Sequence, residues 1–120
     1  MVRAEGKRIS AAVFPTPAIA RRLVRQAWDE WSLDTVFPMI YQNFYEEPVS
    51  WIETATREDV AAAALGTPVC SGLYLPALSP EQPGRAVRLA LAAGAAGVSL
   101  FELGALSDGQ LVSLRQALRA

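Results

Sequence analysis

Leu33-Asp34-Thr35-Val36-Phe37-Pro38-Met39-Ile40-Tyr41-Gln42-Asn43-Phe44-Tyr45 joins two different kinds of sequence end to end. Its first part is β-branched and apolar, the composition of a buried strand. Its second part is polar and planar, with Tyr41, Gln42, Asn43 and Tyr45 crowded together where the apolar run stops. Two acids, Glu46 and Glu47, follow, and then Pro48. In parallel α/β folds the loops at the carboxyl ends of the strands form the ligand crevice. Hydrogen-bonding groups beside aromatic faces are what a sugar-sized polar ligand requires. The plainer reading is a buried strand followed by an ordinary polar loop.

Outward from this stretch, the chain reads as four βα units. Arg8 to Phe14 is a first strand, closed by Pro15-Thr16-Pro17. Thr16 can cap a helix and Pro17 can take its first position, so a helix runs from about Ala18 to Trp28. Strand two is Thr35 to Tyr41. The pattern Thr56-Arg57-Glu58-Asp59 starts an alanine-rich helix from Glu58 to Leu65, ended by Gly66. Val49 to Ile52 reads as either a helical turn or an extended link. Strand three is Val69 to Leu75, and a helix opens at Ser79-Pro80-Glu81-Gln82 and runs to about Ala93. Strand four is Val98 to Phe101, reaching Glu102. Ser107 and Gln110 form a capping box that starts a last helix ending near Arg119. Strand starts fall roughly 26 to 35 residues apart, the size of a βα unit. The expected fold is therefore α/β, a single domain over residues 1–120 with a parallel sheet. Four units are half of a (β/α)8 barrel, which needs about 250 residues. The alternative is a flattened, doubly wound four-stranded sheet.

Alternation along strand two sorts Thr35, Phe37, Met39 and Tyr41 from Val36, Pro38 and Ile40. The first set is the more varied and suits a barrel interior; the branched aliphatics suit the layer beneath the helices.

Composition narrows the chemistry. Of 120 residues, 52% are hydrophobic and the net charge is −1, so a sizeable core is possible and nothing favours nucleic acid or an acidic membrane surface. There is no histidine, which removes the commonest general base and a common metal ligand. No cofactor or metal site is expected. The single cysteine, Cys70, lies in an apolar run and reads as a small core residue. No apolar run approaches the roughly 20 residues of a membrane span. The first residues are too polar for a signal peptide, so the chain as given is expected to stay where it is made, a cytoplasmic reading. As part of a longer chain with a signal peptide it would be exported.

Ile9–Pro15, Gln26–Trp31, Leu33–Tyr45, Ser71–Pro76 and Gly94–Leu103 together resemble strands five to eight of glycoside-hydrolase-like (β/α)8 barrels, the "family 10-like glycosyl hydrolase" group of bacterial proteins. Pro38-Met39-Ile40-Tyr41-Gln42 is also similar to the Met-x-Tyr-Asp element on strand six of family 18 chitinases, with Gln42 in place of the Asp. The resemblance implies a carbohydrate ligand and a sugar-binding role for Tyr41. An amide cannot serve as a carboxylate base, so no catalytic role passes to Gln42.

Substrate-binding candidates are therefore Tyr41, Gln42, Asn43, Tyr45 and Tyr74. Glu46, Glu47 and Glu102 stand at strand ends as weaker catalytic candidates. In such barrels the catalytic carboxylates usually lie in the first half, and hydrolysis canonically needs two carboxyls about 5 to 9.5 Å apart. The chain then reads as the C-terminal portion of a barrel, contributing binding residues without being competent alone. A non-catalytic carbohydrate-binding or assembly module is the alternative. A half-barrel leaves two open edges and an uncovered face, so the expected partner is a second copy (a homo-oligomer) or a missing N-terminal half-barrel.

Overall fold

The computed structural model describes residues 5–64 and 66–119. Among them lie four strands and four α-helices in strict βα alternation. The strands are β1 (Ser10–Val13), β2 (Thr35–Pro38), β3 (Cys70–Tyr74) and β4 (Gly97–Phe101). The helices are α1 (Pro17–Val24), α2 (Trp51–Ala62), α3 (Gln82–Ala92) and α4 (Asp108–Arg119). β1 pairs parallel with β2, Ser10 opposite Thr35 and Val13 opposite Pro38. β3 pairs parallel with β4, Cys70 opposite Gly97 and Tyr74 opposite Phe101.

The sequence leads one to expect a single four-stranded sheet; the structure has two two-stranded parallel sheets. They meet through two isolated parallel bridges, Val36 with Val69 and Met39 with Gly72. Pro38 explains the seam. In a parallel ladder alternate residues present their N–H to the same neighbour. Val36 N–H donates to the Pro68 carbonyl (3.1 Å) and Ile40 N–H to the Gly72 carbonyl (3.1 Å). The residue between them in that alternation is Pro38, which has no N–H, so the middle rung cannot form. β2 accordingly ends at Pro38 instead of reaching Tyr41.

The two faces of the strands differ as alternation expects. Val36, Pro38 and Ile40 are fully buried, as are Val13 and Leu73. Phe37, Met39, Tyr41 and Tyr74 are only partly covered and look the other way. Beneath the helices the core has two parts. The larger gathers Ile40, Ile52, Leu73, Leu75, Val87 and Leu114; the smaller gathers Val13, Ala20, Trp28, Val36 and Val69. Burying each such aliphatic stabilises the fold by roughly 1.5–3 kcal/mol.

Three boundaries depart from the sequence reading. α1 stops at Val24, because Arg25 turns left-handed (φ 57°), its N–H donating to the Arg21 carbonyl and the Gln26 N–H to the Ala20 carbonyl. Trp28 falls in a separate 3₁₀ turn, where it is buried. α2 begins at Trp51, seven residues before Glu58, and Leu65 lies outside the described residues. Thr56 and Asp59 are therefore not at a helix start but on its buried side. Their polar groups serve tertiary contacts: Thr56 and Ser71 share a hydroxyl–hydroxyl bond of 2.8 Å, and Asp59 Oδ1 accepts the Thr16 N–H at 2.8 Å.

The last capping box forms as read. Ser107 N–H donates to Gln110 Oε1 (3.0 Å) and Gln110 N–H to Ser107 Oγ (3.1 Å). The Gln110 amide also donates to the Leu75 and Leu78 carbonyls, fastening α4 to the turn after β3. Gly84 has a packing role: a Cβ there would stand 2.7 Å from both the carbonyl oxygen and Oγ of Ser113. Its backbone N–H instead donates to that hydroxyl at 2.8 Å.

Asp59 is fully buried, one carboxyl oxygen has no hydrogen-bond partner among the described residues, and burial pushes its pKa from 3.8 up to about 8. The folded protein thus holds a proton there that the unfolded chain releases near pH 4. This contribution is fully favourable below about pH 4, and stability falls as pH rises from there to about 8. Asp59→Asn keeps the acceptor for Thr16 and cannot ionise. It should be at least as stable as wild type at pH 5, with an advantage growing to a few kcal/mol by pH 8.5. Thermal unfolding of both proteins across that range checks this; parallel pH profiles would show that Asp59 titrates normally.

Candidate functional site

The uncovered face of the strands carries a ring cluster at its carboxyl end. The bridge between Met39 and Gly72 sets Tyr41 level with Tyr74, and the β3–β4 register sets Tyr74 beside Phe101. Side chains two residues apart share a face, and there the three rings converge into a triangular cluster, with the Tyr41 and Phe101 centroids also 6.1 Å apart. Tyr41 and Tyr74 stack with centroids 5.2 Å apart at 30°. Tyr74 and Phe101 lie 6.1 Å apart at 16°. Phe44 meets Tyr41 nearly perpendicular (5.6 Å, 89°) and Tyr74 at 5.0 Å and 60°.

The 3₁₀ turn Gln42–Tyr45 explains why Phe44 joins this cluster and its neighbours do not. With three residues per turn, positions i and i+3 lie on one side. Tyr41 and Phe44 form one such pair and Gln42 and Tyr45 the other. Gln42 is buried, 4% exposed, with its side-chain oxygen unpartnered among the described residues. It does not line the hollow that the rings border. Asn43 is exposed, and its carbonyl accepts the Glu46 N–H.

The candidates consequently divide between two hollows. The ring cluster borders one of about 460 Å³, floored by Ala12, Phe37, Met39 and Gly72 and overwhelmingly apolar. Tyr45, Glu46 and Glu47 line a second, of about 340 Å³, together with Ile19 and Arg22 of α1 and Trp51 of α2. Tyr45 and Trp51 lie 5.5 Å apart at 44° within it, and Phe44 borders both hollows. Glu102 is exposed beyond β4 and lines neither. Cys70 is partly covered instead of fully buried, and burial raises its thiol pKa.

Phe44 and Phe101 are the site residues that a search for polar groups overlooks. Phe101 was accessible through alternation on β4, since it lies opposite Tyr74. Phe44 needed the 3₁₀ turn. Burial, and then the neighbouring Tyr74, raise the Tyr41 pKa, so its phenol stays protonated and can donate a hydrogen bond at neutral pH. Burial likewise raises that of Tyr45. Among the described residues no cluster of three Cys, Asp or Glu side chains could hold a metal ion. No helix among them is long and apolar enough to cross a membrane.

Gly72 makes the cluster possible. A Cβ there would lie 2.9 Å from the Pro38 carbonyl oxygen and 3.4 Å from Tyr41 Cε1. Compared with protein-family models, with curated proteins and with solved structures, the chain matches none.

Two substitutions separate packing from surface chemistry. Gly72→Ala forces the β2–β3 seam apart and should cost roughly 1–3 kcal/mol, the range for overpacking. Tyr41→Phe removes a hydroxyl that makes no hydrogen bond among the described residues, and should change stability by less than about 1 kcal/mol. Chemical denaturation measures both. Equal losses would mean that the Tyr41 hydroxyl is a structural group.

Proposed function

We propose that this chain is the C-terminal half of a glycoside-hydrolase-like (β/α)8 barrel, and that its ring-lined hollow binds carbohydrate without hydrolysing it alone. The observation that carries this reading is the cluster of Tyr41, Tyr74 and Phe101, three rings inclined by 30° or less with centroids 5.2 to 6.1 Å apart, gathered at the carboxyl side of β2, β3 and β4. Such a cluster offers aromatic surface for the C–H groups of a pyranose. The two phenols add hydrogen-bonding groups at its rim. A volume of about 460 Å³ is within the range of small-ligand pockets. The strand order, β1 to β4 with only parallel pairings, is the order of consecutive strands in such a barrel.

The same geometry argues against turnover by this half. No carboxylate lines the ring hollow, and Glu46 and Glu47 line the other one. Glycoside hydrolysis needs an acid and a second carboxylate on either side of one bond. The apolar floor favours a second reading, an assembly module in which the face is a protein contact.

Titration of the chain with gluco-, xylo- and N-acetylglucosamine oligosaccharides, followed by NMR, tests the proposal. Binding should perturb resonances of Tyr74 and Phe101. Phe101→Ala should weaken it at least tenfold, and Tyr41→Phe by a hydrogen bond's worth, roughly 0.5–1.5 kcal/mol. Glu46→Gln should leave it unchanged. Failure of the whole panel to bind would refute the carbohydrate reading, and turnover lost in Glu46→Gln or Glu102→Gln would place catalysis in this half.

A further inference from the structure

We infer that the four βα units completing this barrel are a second copy of the same chain, joined edge to edge about a two-fold axis that runs along the strands. The inference rests on the half-barrel reading, not on the identity of any ligand. Among the described residues, β1 and β4 each have a strand neighbour on one side only. Both run in the same direction as every other strand, so a partner must offer two free edges parallel to them. A two-fold axis along the strands preserves strand direction. It brings β4 of each copy beside β1 of the other, and both contacts are satisfied at once. An axis across the strands would pair β4 with β4 antiparallel and leave β1 open.

The helical layer ends as the sheet does. α1 packs on α2, α2 on α3 and α3 on α4, so α1 and α4 are terminal. α1 exposes Leu23 and Val24, and α4 exposes Leu118. On the sheet, Leu100 and Phe101 of β4 are exposed, and Leu103 just beyond is 82% exposed. Apolar surface therefore accumulates at both ends of the array and over the open face between them. Patches of this kind mark contact sites, and closure removes the strand edges. Closure of eight parallel strands uses all three surfaces in one assembly. It would also place the ring clusters of the two copies at the same end of the barrel.

Sedimentation equilibrium of the intact chain should give a particle of twice 12.9 kDa that does not grow further with concentration. Leu23→Lys and Leu100→Asp, one at each end, should each raise the dimer dissociation constant at least tenfold while circular dichroism remains native. Mixing the two variants should recover association, because one of the two contacts is then wild type and the other opposes Lys to Asp. A monomer at every concentration would overturn the inference while leaving the half-barrel reading to a different partner. A dimer unmoved by both variants but lost in Phe37→Asp would mean that open faces stack on each other, which overturns both readings. Open-ended growth would likewise refute closure. Should Leu100→Asp fail to fold, Leu103→Asp tests the same edge from a fully solvated position.

Discussion

The close passage of Gly72 beneath the Pro38 carbonyl and the Tyr41 ring is the contact on which the structure turns. It is where the two parallel sheets meet. Pro38 withholds the middle hydrogen bond of the β2–β3 ladder, so the seam is held by its two outer rungs and by packing. The absence of a side chain at position 72 lets the strands close at that point. It also sets the height of Tyr41 against Tyr74, and hence the packing of the ring cluster. One small residue thus links sheet continuity to the geometry of the site.

The helices are fastened to this array by polar groups that are costly to bury unless partnered. Thr56 bonds Ser71, Gln110 reaches two carbonyls after β3, and Asp59 takes the N–H of Thr16. The last of these holds a residue with positive φ, Thr16 at 56°, in the turn between β1 and α1. These bonds fix where each helix sits along its strand, which apolar packing alone specifies loosely. They also account for the polar residues on α2 whose pattern resembles a helix start. Side-chain type reports that an N–H or hydroxyl is being met; it does not report whether the partner is local or forty residues away.

The βα order, the division of strand faces and the Ser107–Gln110 cap were legible in the sequence because each depends on neighbours within a few positions. Alternation alone separates Val36 and Ile40 from Phe37 and Tyr41. The end of α1 was not legible, since Arg25 adopts a conformation that usually signals glycine. Nor was the seam, because Pro38 sits in an otherwise convincing buried strand and its effect depends on which neighbour its missing N–H would have faced. The candidate site was half legible. Tyr41 and Tyr74 were identified from strand ends, whereas a grouping by polarity merged residues that the 3₁₀ turn sends to three different places.

That separation has a chemical consequence. The turn places aromatic carbon on the open face, the Gln42 amide in the interior, and Tyr45 with the two glutamates beside Arg22. The ring hollow therefore has no charged residue in its lining, and its polar groups are the Tyr41 and Tyr74 phenols and Ser99. Any carboxylate acting on a molecule bound there must come from beyond the hollow's own lining. A second copy related by a two-fold axis along the strands would bring a second ring cluster to the same end of the barrel, facing the first across it. Carbohydrate recognition by this face and closure of a barrel would draw on the same apolar surface, so a ligand at the rim and a partner at the edges would be compatible only if the rings stayed accessible above the floor of the hollow.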